Sequence, residues 1–297
     1  MPRITAIETA IPHGIMSNLL LLRVHTDDGL VGCGETYYTP HAVAALIHDW
    51  MAPRLIAGDL AEQLVAEGYK AVKFWPFDRA AYRSGGLHIS WQDVEEGMKP
   101  LRAMRDRVGM KLDIAIEGHA FFLLPAALRI AEALREIKPL WLEDVLRVDC
   151  VAKLADFREK SGLPIAASEM LLGRKEYLQV LQAGAADYYM LDPSWTGGIS
   201  ELRRVIELAQ TFNVPATIHD CTGPLNLFAG LHLAAASATV AFQETVRAYI
   251  RTLDSHLVDS GPVIDQGYAL LPEGPGLGTR LHDALFMPGK HSYRRSG

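Results

Sequence analysis

Between residues 69 and 244 the chain alternates short apolar runs with amphipathic helical stretches, and that alternation restricts its fold more than any other feature. The runs are "YKAVKF", "KLDIAIE", "LWLED", "PIAAS", "DYYMLD", "PATIHD" and "VAFQE", with stretches such as "PAALRIAEALREI" and "ELRRVIELAQTF" between them. Nearly continuous apolar strands between helices imply parallel strands buried on both faces. Each run closes on a polar residue. After Lys73 these are Glu117, Glu143, Glu169, Asp192, His219 and Glu244, spaced 26, 26, 23, 27 and 25 residues apart, so one βα unit separates each from the next. In an open doubly wound sheet such residues would fan out along an edge. A closed barrel gathers them at one mouth, at the C-terminal strand ends where such folds place their function.

The expected class is therefore α/β, with a TIM-like barrel over residues 61–255 and a different texture before it. Residues 1–60 read as "ITAIETA", "LLLLRVHT", an Asp27-Asp28-Gly29 turn and "LVGCGET", an antiparallel meander, followed by a helix "AVAALIHDWMAPRL". Seven barrel strands are one short of eight, and the change of texture at "IAGDLAEQLVAEGYKAVKF" is abrupt. This predicts a segment absent near Leu60 and Ala61. It also predicts a Cα–Cα separation well above about 3.8 Å somewhere between Ile56 and Glu67, and a missing stave beside the Lys73 strand.

Charge and cysteine usage narrow the chemistry. A net charge of −6 without a long Lys/Arg run argues against nucleic acid or an anionic membrane as partner and favours a small molecule. Cys33, Cys150 and Cys221 are far apart and odd in number, which points away from a disulfide framework and toward a reducing compartment. The opening "MPRITAIETAIPHG" lacks the charged and apolar regions of a secretory signal, and no apolar run approaches the roughly 18 residues of a membrane span. The expected location is cytoplasmic.

Glu117, Glu143 and Glu169 end three consecutive strands and offer only oxygen. Three carboxylates in one pocket cannot all stay ionised without a cation, and hard oxygen donors suit Mg²⁺ better than Zn²⁺. Asp192 and His219 end neighbouring strands, so the carboxylate can hold the imidazole's tautomer and raise its basicity, as in a general-base pair. In "IEGHAFF", His119 follows Glu117 by two residues and faces the same way on an extended strand.

The ordered set of Lys73, three acidic strand-end residues, Asp192 of "DPSWTGG", His219 of "IHDCTGP", Glu244 of "FQETVR" and the later "PEGPGLG" resembles the mandelate racemase subgroup of the enolase superfamily. That resemblance implies a (β/α)7β barrel with an α+β capping domain built from residues 1–60 and a returning C-terminal segment, 256–297. It implies Mg²⁺-assisted removal of the proton α to a carboxylate, giving an enediolate held by the metal. Glu117, Glu143 and Glu169 would be the ligands, His219 with Asp192 the dyad, Glu244 a hydrogen-bonding partner of the substrate carboxylate, and Lys73 the first position of a Lys-x-Lys motif. A homo-oligomer is implied as well.

Two departures redirect the chemistry. The first ligand, usually Asp, is Glu117, and the second lysine is replaced in Lys73-Phe74-Trp75. Trp75 cannot be a base, so it joins the candidate substrate contacts and a one-base reaction is favoured over racemisation. Members lacking one base and carrying a histidine where His119 stands are similar to sugar-acid dehydratases. The expectation is dehydration of an aldonate or aldarate to a 2-keto-3-deoxy acid, with His219 and His119 sharing the base and acid roles in either order. A racemase or epimerase of an α-hydroxy acid, and a non-catalytic barrel, are the alternatives. Further candidates are His13 in "PHGIMSN", as a contact from a capping loop, and Arg79, Arg83 and His88 in the insertion after Lys73, as partners for the second carboxylate of a diacid.

Overall fold

A computed structural model describes residues 2–12, 15–37, 39–287 and 294. They form two compact units, one of residues 1–72, 90–113 and 136–138, the other of 73–89, 114–135 and 139–297. His13 lies outside the described residues. Residues 256–287 fall within the bounds of the second unit.

The first unit opens with the expected meander, β1 (Ile4–Ala10), β2 (Leu19–Thr26) and β3 (Val31–Tyr37), paired antiparallel in that order. A short helix α1 (Pro40–Ala45) and a π-helical turn (Leu46–Met51) lead into α2 (Ala52–Ala66). Helix α2 runs unbroken through Leu60 and Ala61, which overturns the expected chain break there. Its stretch from Ile56 to Ala66 is rich in Ala, Leu, Glu and Gln, all strong helix formers, and Ala57, Ala61 and Leu64 recur on one buried face. Counting strands pointed to a gap at a place where helical periodicity carries the chain across. That face meets α4 (Trp91–Val108), which follows the shorter α3 (Asp78–Ser84). A Cβ at Gly58 would lie 3.2 Å from the Ala103 carbonyl, so glycine lets the two helices approach closely. Ser90 caps α4, its Oγ accepting from the Asp93 N–H at 3.1 Å.

The parallel sheet holds β4 (Ala71–Phe74), β5 (Asp113–Glu117), β6 (Leu142–Glu143), β7 (Ile165–Ala167), β8 (Tyr188–Leu191), β9 (Ala216–Ile218) and β10 (Val240–Gln243). Their spatial order is their chain order, with β4 and β10 at the two edges, and among the described residues no eighth strand joins them. Helices α5 (Leu124–Leu134), α6 (Val151–Ser161), α7 (Gly173–Gln182), α8 (Ile199–Thr211) and α9 (Pro224–Ala235) connect successive strands. Among the described residues no helix is long and apolar enough to cross a membrane.

Seven strands about 4.8 Å apart would hold the edges of a flat sheet nearly 30 Å from each other. Yet Lys73 on β4 reaches Glu244, just past β10, with Nζ 2.9 Å from Oε1. The sheet is therefore curled until its edge strands approach at their C-terminal ends. Ala115, Trp141, Ala166 and Met190 form a buried cluster with Phe242 packed against it. Because side chains alternate along a strand, positions two beyond Ala115, Trp141, Met190 and Phe242 share that face, and these positions are Glu117, Glu143, Asp192 and Glu244.

Candidate active site

The carboxylates of Glu117, Glu143 and Glu169 converge, each offering an oxygen within 4.8 Å of the others, and all three residues are buried. Glu117 and Glu143 are direct neighbours in the β5–β6 register. Trp141 Nε1 donates to Glu143 Oε2 at 2.9 Å, and the Gly118 and His119 N–H groups donate to Glu117 Oε1 at 2.9 and 2.6 Å. Among the described residues Glu169 Oε2 is buried and accepts no hydrogen bond, and Glu117 Oε2 is buried with the Lys73 ammonium beside it.

Lys73 Nζ lies among these acids, 2.6 Å from Glu143 Oε1, 3.2 Å from Glu117 Oε2 and 2.9 Å from Glu244 Oε1. Burial alone would favour the neutral amine, but Glu143, Glu244, Glu117 and Glu169 outweigh it and hold the ammonium charged well above its usual range. One cation does not neutralise four acids. Burial pushes the Glu143 carboxyl well up and that of Glu169 up, while Glu117 is held down against its burial by Lys73 and His119. A buried Glu169 oxygen without a hydrogen bond, an all-oxygen donor set and carboxyls whose ionisation burial opposes fit a hard divalent cation.

His219 Nδ1 lies 2.8 Å from Asp192 Oδ2, and the Trp195 ring stands 5.1 Å from the imidazole, centre to centre. Burial lowers the imidazole's affinity for a proton. The bond to Asp192, with Cys221, Glu244 and Glu169, more than reverses this and lifts its pKa to about 10. A base must start unprotonated, so to serve as one near neutral pH His219 would need positive charge beside those acids.

His119 begins the turn after β5. Its Nδ1 lies 2.8 Å from Asp78 Oδ2, its ring 6.1 Å from that of Trp75 and 5.8 Å from that of Phe121. The hydrogen bond to Asp78 raises the imidazole's pKa against its partial burial. His119, Ala120 and Asp144 all carry positive φ, at 47°, 55° and 42°, a region in which non-glycine residues are strained. Trp75 is half exposed. Arg79 and Arg83 on α3, and His88 after it, are exposed positions outside the buried cluster.

Gly118, between Glu117 and His119, is required by packing. A Cβ there would stand 2.4 Å from Val145 Cα. Gly118→Ala is expected to destabilise the fold by about 1–3 kcal/mol, because the β5 turn must shift away from Val145; the midpoint of urea unfolding measures it, and an unchanged midpoint would show that the turn gives way freely.

Several site residues were not legible as such. Asp78 lies in the insertion, where no spacing marks it. Asp144 is fully buried, accepts from Ser168 Oγ, and has its carboxyl pushed well up by burial. Asn226 carried a signal that went unread, an amide in the mostly apolar "PLNLFAGLHLAAA". A buried amide in such a helix needs partners.

Comparison with known proteins agrees with this geometry. A crystal structure of an enolase protein from the environmental genome shotgun sequencing of the Sargasso Sea is 35% identical, with a TM-score of 0.75 and 97% of each chain covered. An enolase of the mandelate racemase subgroup from Agrobacterium tumefaciens is 31% identical, with a TM-score of 0.74 and 94% of each chain covered. A D-gluconate dehydratase of Thermoproteus tenax is 29% identical over 225 residues, 76% of this chain and 44% of that protein. The chain thus spans about half the length of the curated relatives it matches. The model of the family described as Enolase C-terminal domain-like matches residues 57–285, the stretch that carries all the strand-end acids and both histidines, and the chain belongs to that family.

Proposed function

We propose that the protein dehydrates a sugar acid, an aldonate or aldarate, to a 2-keto-3-deoxy acid. The observation that carries this reading is the convergence of Glu117, Glu143 and Glu169, with Glu169 Oε2 buried and without a hydrogen bond, beside the His219–Asp192 pair. The dehydratase name of the relative supports the reaction class. Glu117, Glu143 and Glu169 would hold Mg²⁺, which when bound supplies positive charge for the substrate carboxylate as the neighbouring carbon loses its proton.

Asp192 fixes Nδ1 of His219, leaving Nε2 to take the proton from the α-carbon. Lys73 and Glu244 hold the carboxylate end of the substrate. His119, oriented by Asp78, gives a proton to the β-hydroxyl, so the C–O bond breaks and water departs. The resulting enol tautomerises to the keto acid. Trp75 beside His119 shields the leaving group from solvent and occupies the place where racemisation would need a second base. Arg79, Arg83 and His88 would receive the far end of a diacid, and His13 a contact from its loop. The homo-oligomer and the division into 1–60, 61–255 and 256–297 belong to the same proposal.

Saturating Mg²⁺ is expected to stabilise the fold, by about 2.7 kcal/mol at one hundred times Kd, with EDTA removing the gain. Screening aldonates and aldarates for keto-acid formation should then give turnover that depends on Mg²⁺. A melting temperature indifferent to Mg²⁺, or deuterium entering the α-carbon with no keto acid formed, would refute the dehydratase reading.

A further inference from the structure

The Asp192 carboxylate is fully buried and heavily engaged. Its Oδ1 accepts from the N–H groups of Ser194 and Trp195 at 2.7 and 3.1 Å, and its Oδ2 meets both His219 Nδ1 at 2.8 Å and Asn226 Nδ2 at 3.0 Å. Asn226 stands in the first turn of α9 and is buried. Its Oδ1 accepts from Ser194 N–H at 3.0 Å and Ser194 Oγ at 2.7 Å, while Nδ2 also reaches Asp220 Oδ1 at 3.5 Å. These partners fix the amide's orientation. Reversed, it would set its oxygen against two carboxylates and its NH₂ against an N–H donor.

We infer that Asn226 is a positioning residue for the His219–Asp192 pair: its Nδ2–H groups hold the same Asp192 oxygen that receives the imidazole and bridge that carboxylate to Asp220. This rests on the reading of His219 as the base. Asn226 acts through Asp192, not on substrate. An oxygen tied by two donors keeps one direction, so Nδ1 of His219 keeps its proton and Nε2 its aim. Being neutral, the amide also lets two buried carboxyls share one residue without adding charge. Burial lifts the Asp220 carboxyl to about 6, so that side of the pair is already short of solvation.

Packing alone does not account for an amide here. Asn226 borders an open surface depression together with Pro193, Ser194, Ile199, Leu225 and Ala229, mostly apolar neighbours that an apolar residue of similar size would suit. The groups facing His219 are Asp192 just after β8, Glu169 from the turn after β7, Glu244 just past β10, Asp220 and Cys221 on its own loop and the Trp195 ring. Of these, Asn226 touches Asp192 and Asp220.

Asn226→Leu and Asn226→Asp test the inference. Leu keeps the bulk and removes both polar atoms, whereas Asp keeps the shape and the acceptor for Ser194 but replaces the NH₂ that faces Asp192. Both are expected to lose about 10–100-fold in kcat with KM within about threefold of wild type. Leu performing at the wild-type level would overturn the inference, since a packing role tolerates an apolar residue of that bulk, whereas the Asp carboxyl, unlike the neutral amide, stands against Asp192 and Asp220. In the protein labelled with ¹⁵N-histidine and free of substrate, the Nδ1–H signal of His219 should shift or broaden in both variants. An unchanged signal overturns the inference whatever the turnover. If wild type turns over no sugar acid, the dehydratase reading fails while the spectroscopic result still decides the role of Asn226. If the Leu variant melts without a cooperative transition, the Asp variant decides.

Discussion

His219→Asn should remove α-proton abstraction, with turnover falling on the order of 10²–10⁴-fold while Mg²⁺ still raises the melting temperature as in wild type. The general base contributes a factor of that size when the proton has no other acceptor in reach. Asn matches the imidazole in approximate size and can still donate to Asp192, so the buried carboxylate keeps a partner and the fold survives. It has no nitrogen that can accept a proton. The measurement is exchange of the substrate's α-hydrogen in D₂O alongside keto-acid formation. Retained exchange would assign the base to His119, and loss of the Mg²⁺ response would mean that His219 supports the metal site rather than the chemistry.

The second large effect belongs to Lys73. Lys73→Met keeps the length of the side chain but takes the ammonium from between Glu117, Glu143 and Glu244, leaving buried carboxylates without their counter-ion. Removing one member of a buried ion pair costs about 3–5 kcal/mol, which for a chain of this size lowers the melting temperature by roughly 6–20 °C. The loss should be greatest without Mg²⁺ and should narrow once it is added. It should also shrink as the pH falls. Burial already holds the Glu143 carboxyl well above its usual range, so acid protonates the site and removes the unpaired charge, whereas alkali restores it. A variant as stable as wild type in EDTA at alkaline pH would show that the lysine is not the counter-ion of the site.

The polar series was readable from sequence because two periods coincide. Alternation along a strand sets Glu117, Glu143, Asp192 and Glu244 on the face of the apolar residues two before them, and the length of a βα unit repeats that placement. Neither period reaches beyond the strands. Asp78 meets His119 across the insertion, and Asn226 meets Asp192 from the next helix but one, so both pairings are decided by tertiary approach. The unbroken α2 was missed for a related reason. Its Ala57, Ala61 and Leu64 stripe was present in the letters, but the missing eighth strand drew the reading toward a break.

The contact between Lys73 and Glu244 bears on the order of assembly. Its partners stand on the first strand of the parallel sheet and just past the last, so the chain between them contains every other strand of that sheet. Closing so long a loop carries the largest entropic cost of any pairing in the sheet, and it is met only after the neighbouring strands have joined in sequence. Interactions made after the rate-limiting step hold the native state by slowing escape from it rather than by hastening arrival. Loss of Lys73 or Glu244 is thus expected to shorten the lifetime of the folded chain, with refolding left nearly as fast as before.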